Sequence, residues 1–252
     1  MPGPLHIQGL AVRRGAARIL QDLSVSLEAG QIVGVIGPNG AGKSTLLAAV
    51  AGLLPHGGSA RWAGKPLSAA MLSYMPQSTR TQSDLTALES VLLGRHERLG
   101  WRVGDADLAA AAAALASLDL EHLAERQLAT LSGGQQQLVM LAQRLVRRPE
   151  LLILDEATSA LDLRHQLAVL EHLRAYVRQT GALVLVAIHD LNLAARHSDN
   201  LLLLRQGCLV AEGPRDVVLA APQLRRAYGI EVEILRSADG HPIIVPLSAT
   251  AA

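Results

Sequence analysis

The stretch Gly37-Pro38-Asn39-Gly40-Ala41-Gly42-Lys43-Ser44-Thr45 meets the spacing G-x-x-x-x-G-K-[ST]. Its glycines let the backbone wrap close to an anion with amide groups turned inward. Lys43 is placed to reach the β- and γ-phosphates of a nucleotide, and the Ser44 hydroxyl to hold Mg2+. Further on, Leu151-Leu152-Ile153-Leu154 ends in Asp155-Glu156. Asp155 suits the Mg2+ shell, and Glu156 suits a base that polarises water. A base so placed is worth about 10²- to 10⁴-fold in rate. His189 closes a third apolar run, Ala182–Ile188, where it could donate to a γ-phosphate. Gln77 closes Tyr74-Met75-Pro76 and could reach Mg2+ or the attacking water. Taken singly, His189 reads as an ordinary strand-end residue and Gln77 carries no meaning.

These side chains need a scaffold that brings strand ends together. Ile32–Ile36 before the loop reads as a buried strand, and Leu46–Ala51 after it as a helix stopped at Gly52. Chemistry at the carboxyl ends of such strands is the habit of open α/β sheets. A second anion-binding element, Leu131-Ser132-Gly133-Gly134-Gln135, stands between them. Ser132 is an N-cap candidate for a helix from Gln135 to about Val146, with Leu138, Leu141 and Leu145 at helical spacing. Two phosphate-gripping elements in one short chain suggest that each meets a different end of one ATP.

In this order the residues resemble an ABC-type ATPase, the nucleotide-binding subunit of an ATP-driven transporter. The phosphate loop lies at Gly37–Thr45, the Q-loop at Gln77, the signature at Leu131–Gln135 and the Walker B strand with its Glu at Leu151–Glu156. The D-loop lies at Ser159-Ala160-Leu161-Asp162, which adds Asp162 to the nucleotide contacts, and the switch His at His189. The resemblance covers nearly the whole chain. It implies an α/β fold, a P-loop NTPase (RecA-like) core with an N-terminal antiparallel β-subdomain and an inserted α-helical subdomain. It implies ATP and Mg2+, and a head-to-tail homodimer in which Ser132, Gly133, Gly134 and Gln135 of one copy face the γ-phosphate held by the other. It also implies integral-membrane permease subunits, indirectly a periplasmic or lipoprotein substrate-binding protein, and a peripheral place on the cytoplasmic face of the cell membrane. The family usually stacks adenine on an aromatic ring near the N-terminus. Here Val12–Leu20 holds no ring and Arg14 takes the place. Either its guanidinium plane stacks on the base, or Arg13 and Arg14 are solvated cations.

Composition fits one large domain. The chain has 252 residues, half of them hydrophobic, and a net charge of +1 that gives no footprint for nucleic acid. Lys43 and Lys65 are its only lysines. The single Cys208 excludes an internal disulfide and reads as a small strand residue. Met1-Pro2-Gly3-Pro4 reads as no secretory leader. The Ala-rich run Leu108–Leu118 is too short to cross a membrane and reads as a helix. Residues 1–83 and 150–252 are expected to form the core with its β-subdomain, including a hairpin around Gly58–Gly64, and 84–149 the helical lobe. In the tail, helices over Pro214–Ala221 and Pro222–Tyr228 precede strands at Ile230–Leu235 and Pro242–Pro246. That tail is too short for an added regulatory domain.

Cargo shows only indirectly. His189-Asp190-Leu191-Asn192-Leu193-Ala194-Ala195-Arg196, Val91-Leu92-Leu93-Gly94-Arg95 and the tail from Tyr228-Gly229-Ile230-Glu231 to Pro246 resemble the ATPases of importers for iron chelates, haem and vitamin B12. The expectation is a bacterial importer of haem or ferric siderophore, with vitamin B12 as the alternative. Leu85–Arg95 is the candidate for part of a permease groove. A soluble ABC ATPase acting on nucleic acid or the ribosome is the reading from another class. Paired cassettes, coiled-coil arms or Cys clusters usually mark it, and this chain has none. A monomeric P-loop phosphotransferase would not need the signature.

Overall fold

Three runs of the chain, Ile32–Ile36, Leu151–Leu154 and Leu183–Ala187, carry no polar side chain at all and bury every residue. Strands of that kind need cover on both faces, which parallel sheets obtain from flanking layers. The computed structural model describes residues 3–77, 83–95, 103–155 and 162–249. It opens with β1 (Leu5–Arg14) and β2 (Ala17–Leu27), then β3 (Ile32–Ile36), α1 (Lys43–Val50), β4 (Gly57–Trp62), β5 (Lys65–Pro66) and β6 (Leu72–Met75). A helical stretch follows, α2 (Ala87–Leu93), α3 (Asp105–Ala116), two short 3-10 turns and α4 (Gly133–Leu145). Alternation resumes with β7 (Leu151–Leu154), α5 (Leu163–Thr180), β8 (Leu183–Ala187), α6 (Leu191–His197), β9 (Asn200–Arg205) and β10 (Cys208–Pro214). The tail holds α7 (Arg215–Val218), α8 (Ala221–Tyr228), β11 (Ile230–Arg236) and β12 (Pro242–Ala249).

Six strands form the main sheet in the order β10-β9-β3-β8-β7-β6, all parallel except the edge strand β10. A four-stranded antiparallel sheet, β2-β1-β4-β5, lies beside it, and β11 pairs with β12. The two-residue period of a strand divides the core. Val33, Val35, Leu151, Ile153, Leu183 and Leu185 join α1 and the antiparallel sheet in one apolar cluster. Ile32, Ile36, Leu152, Leu154, Val184 and Val186 join the helical stretch, α5 and α6 in the other. The α/β class read from the sequence is the one observed. The N-terminal strands part company in a way their order hides: β3 and β6 enter the parallel sheet, while β1, β2, β4 and β5 form the other.

Element ends differ in small ways. The signature helix α4 starts at Gly133, two residues before its expected start. Between Pro214 and Ala221 only Arg215–Val218 is helical. Cys208 opens β10 and is exposed.

The two sheets are linked by Trp62, 2 % exposed, whose indole N–H donates to Glu150 Oε2 at 2.9 Å. Trp62→Phe should lower stability by about 1–2 kcal/mol, through the lost charge-assisted bond and some lost packing. Urea unfolding of the variant against the parent measures it.

Candidate active site

Helix α1 begins without a side-chain cap, unlike four other helices. Thr86, Ser132, Asp162 and Asp190 cap α2, α4, α5 and α6, but Gly42 before α1 offers no side chain and sits at φ 103°. Gly42 thus places no side chain over the start of α1, which suits an anion at the positive end of the helix. Gly37 is equally constrained. At φ 147°, an added Cβ would sit 2.3 Å from Leu204 O. The β9–β10 turn closes over the loop: Gly207 N donates to Ala41 O at 2.9 Å, and Gln21 N donates to Gly207 O at 2.9 Å.

Within the loop, Lys43 is 5 % exposed and its ammonium donates to Gly37 O at 2.8 Å and Pro38 O at 3.3 Å. A buried cation must be paired or hydrogen-bonded. Here the loop's own carbonyls hold the Lys43 charge. Asp155, 4 % exposed, follows β7 directly. Its Oδ1 accepts the Ser44 hydroxyl at 2.9 Å and its Oδ2 accepts the Tyr74 hydroxyl at 3.3 Å. Burial first, then the Asp155 charge, pushes the Tyr74 phenol up to about 12. The structure thus brings Lys43, Ser44 and Asp155 to one edge of the sheet and adds Tyr74. Sequence reasoning missed that contact because it depends on the register Tyr74↔Ile153 and Met75↔Leu154.

The remaining candidates sit around this edge. Ile188 N donates to Val35 O at 3.1 Å, which carries the β8–β3 pairing up to His189; the imidazole is exposed. Gln77, also exposed, lies two residues past β6. Pro38, Asn39, Gly40 and Thr45 complete the loop and the first turn of α1. Arg14 ends β1 opposite Ala17, across a hairpin turn in which Gly15 takes φ 61°, and is exposed. Glu156 and Ser159–Leu161 lie outside the described residues.

At the signature, Ser132 and Gln135 form a reciprocal cap. The Ser132 hydroxyl oxygen accepts from Gln135 N at 3.3 Å, and Gln135 Oε1 accepts from Ser132 N at 3.0 Å. As an acceptor, that hydroxyl keeps its proton available to donate. Gly133 and Gly134 occupy the first turn. A Cβ at Gly134 would lie 3.2 Å from the His165 ring, so α4 begins against the start of α5. Asp162 caps α5, accepting His165 N at 2.9 Å and His165 Nδ1 at 2.7 Å, and these bonds hold its carboxyl below the usual range.

The family model described as ABC transporter matches residues 20–159. The hemin import ATP-binding protein HmuV of Myxococcus xanthus is 40% identical, covering 96% of both chains. Its namesake in Pseudomonas aeruginosa is 41% identical, covering 96% of this chain and 99% of that one. Among solved structures, a metal-chelate type ABC transporter in an inward-facing conformation superposes with TM-score 0.87 at 28% identity, over 98% of both chains. The ADP conformation of an ATP-binding cassette of an ABC transporter, at 24% identity and TM-score 0.80, shows the same fold.

All three tyrosines are shifted up. Tyr74 and Tyr228 reach about 12, and burial drives Tyr176 still higher. Below pH 10 both folded and unfolded chains keep these protons, so the contribution is full. From pH 10 to about 12 the unfolded chain loses them first, and stability must fall. Ultraviolet titration at pH 10.5 should therefore show little tyrosinate in the native protein and much in urea.

Proposed function

This chain belongs to the ABC transporter family, and on that premise we propose that it is the ATPase of a haem importer, with Lys43, Ser44, Asp155 and Glu156 as the working centre. The activity of the family is ATP hydrolysis that drives transport. The observation that carries the cargo is the near-full-length likeness to hemin import ATP-binding proteins from several bacteria, at about 40% identity.

ATP enters as substrate with its phosphates on the Gly37–Thr45 loop and the uncapped start of α1. Lys43 gives up carbonyl contacts to phosphate oxygens, a charge-assisted exchange that favours the anion. Mg2+, when bound, would neutralise charge developing on the phosphates. The joined Ser44 hydroxyl and Asp155 carboxylate fit such an ion, with Gln77 as a further ligand or water contact. Glu156 orients and deprotonates the attacking water, and His189 donates to the γ-phosphate. Arg14 rests its guanidinium on adenine. In a second copy, Ser132, Gly133, Gly134 and Gln135 close on the γ-phosphate, with Asp162 beside them, so the working unit is a head-to-tail homodimer.

No helix among the described residues is long and apolar enough to cross a membrane. Family ATPases work with membrane permease components. The lobe from residue 84 to 149 is our candidate for that contact. Supporting it, Leu93 at the end of α2 is 48% exposed, and Arg95 borders a cavity of about 590 Å³ with Leu118, Arg148 and Tyr176. A binding protein outside the membrane would act through the permease.

Two experiments test the reading. Glu156→Gln should bind Mg-ATP, lose at least 10²-fold of its turnover and accumulate as a dimer in size-exclusion chromatography; normal turnover rejects Glu156 as the base. In liposomes carrying its membrane permease, haem-loaded binding protein should stimulate ATPase activity above ferric siderophore or cobalamin. Stimulation by cobalamin alone would move the assignment to vitamin B12.

A further inference from the structure

Helix α6 starts one residue after His189 and Asp190, and its first turn is held twice over. Asp190 Oδ1 accepts from Asn192 N at 2.7 Å and from Leu193 N at 3.0 Å, fixing the cap. The Asn192 side chain then turns away from its own helix. Its Oδ1 accepts from Ile244 N at 2.8 Å and its Nδ2 donates to Ile244 O at 3.4 Å. Both backbone groups of one β12 residue are thus taken by one side chain that lies 52 positions earlier in the chain. An amide side chain bonded this way acts as a short piece of extra strand.

The grip is seated. The Ile244 side chain is 3% exposed and belongs to the large cluster that also contains Ala194 and Ala195 of α6. A second link joins Arg196 to Asp239 at 3.2 Å, though its exposure makes it weak. Arg215 of α7 donates to Ala195 O at 3.3 Å and closes the other end of the helix. Helix α6 spans only Leu191–His197, too short to hold its own orientation without packing. Whatever fixes α6 fixes the cap, and with it the backbone that presents His189.

We propose that the C-terminal hairpin β11–β12 sets the position of His189, and that Asn192 is the positioning residue through which it does so. The proposal rests on His189 as the γ-phosphate contact. The tail thereby belongs to the hydrolytic device as well as to the fold. Asn192 touches no nucleotide; it acts through Asp190 and the histidine.

Turnover and thermal unfolding of Asn192→Ala, Asn192→Asp, His189→Ala and the Asn192→Ala/His189→Ala double variant test it. Asn192→Ala should lower kcat about tenfold, as loss of a bonded pair can, with KM for ATP nearly unchanged. Asn192→Asp keeps the acceptor for Ile244 N but sets a carboxylate oxygen against Ile244 O, and should recover only part of the rate. In the double variant the second substitution should cost almost nothing further, since coupled residues are not additive. A lowered melting temperature with intact kcat, or a full extra loss in the double variant, overturns the brace. If instead His189→Ala itself turns over normally, the assignment of His189 falls, which is a separate failure.

Discussion

A buried ammonium and a buried carboxylate stand at one edge of a sheet whose central strands β3, β7 and β8 are wholly apolar. Lys43 is tolerated because the loop's carbonyls face it, and Asp155 because Ser44 and Tyr74 donate to it. Nearly every peculiarity of the surrounding chain serves that arrangement. Glycine at 37 makes room for Leu204 O, the β9–β10 turn clamps Ala41, and the apolar strands β3 and β7 carry the two groups to the same edge. Removing the Ser44 and Tyr74 hydroxyls would cost the Asp155 carboxylate two donors away from water.

Much of this was legible in the sequence because phosphate chemistry constrains residue type and spacing together. Gly37–Thr45, Asp155 and Ser132 are local patterns, and local patterns survive without a structure. The reciprocal cap of α4 was also readable: Ser132 and Gln135 stand at the spacing of a capping box. Its true start at Gly133 was obscured by the poor helix propensity of two glycines, which the cap overrides. The tail helix α7 came out short because Pro214 still belongs to β10 and a separate helix, α8, starts at Ala221.

What stayed hidden depends on pairing across the chain. Strand order in the main sheet is settled by which apolar faces meet, so the place of the short β6 beside β7 could not be read from periodicity. The Tyr74–Asp155 bond needs the β6–β7 register, and the Asn192–Ile244 pair needs a hairpin docked on α6. Asn192 in a first helical turn reads as ordinary helix-start chemistry. Only its partner makes it unusual.

The edge strand β6 has a single neighbour in the sheet, yet it is also tied sideways: the Ser73 hydroxyl donates to Arg144 O at 3.1 Å, near the far end of α4. One end of that linkage leads toward Gln77 and the other, along a helix about 20 Å long, to Ser132. Mechanically this is a lever with a short arm and a long one. A tilt of about 5° at Ser73 carries Ser132 through about 2 Å, on the order of the helix shifts by which packed proteins switch. A small disturbance felt at the strand would be delivered, enlarged, to the tip that we propose meets a second molecule's phosphate.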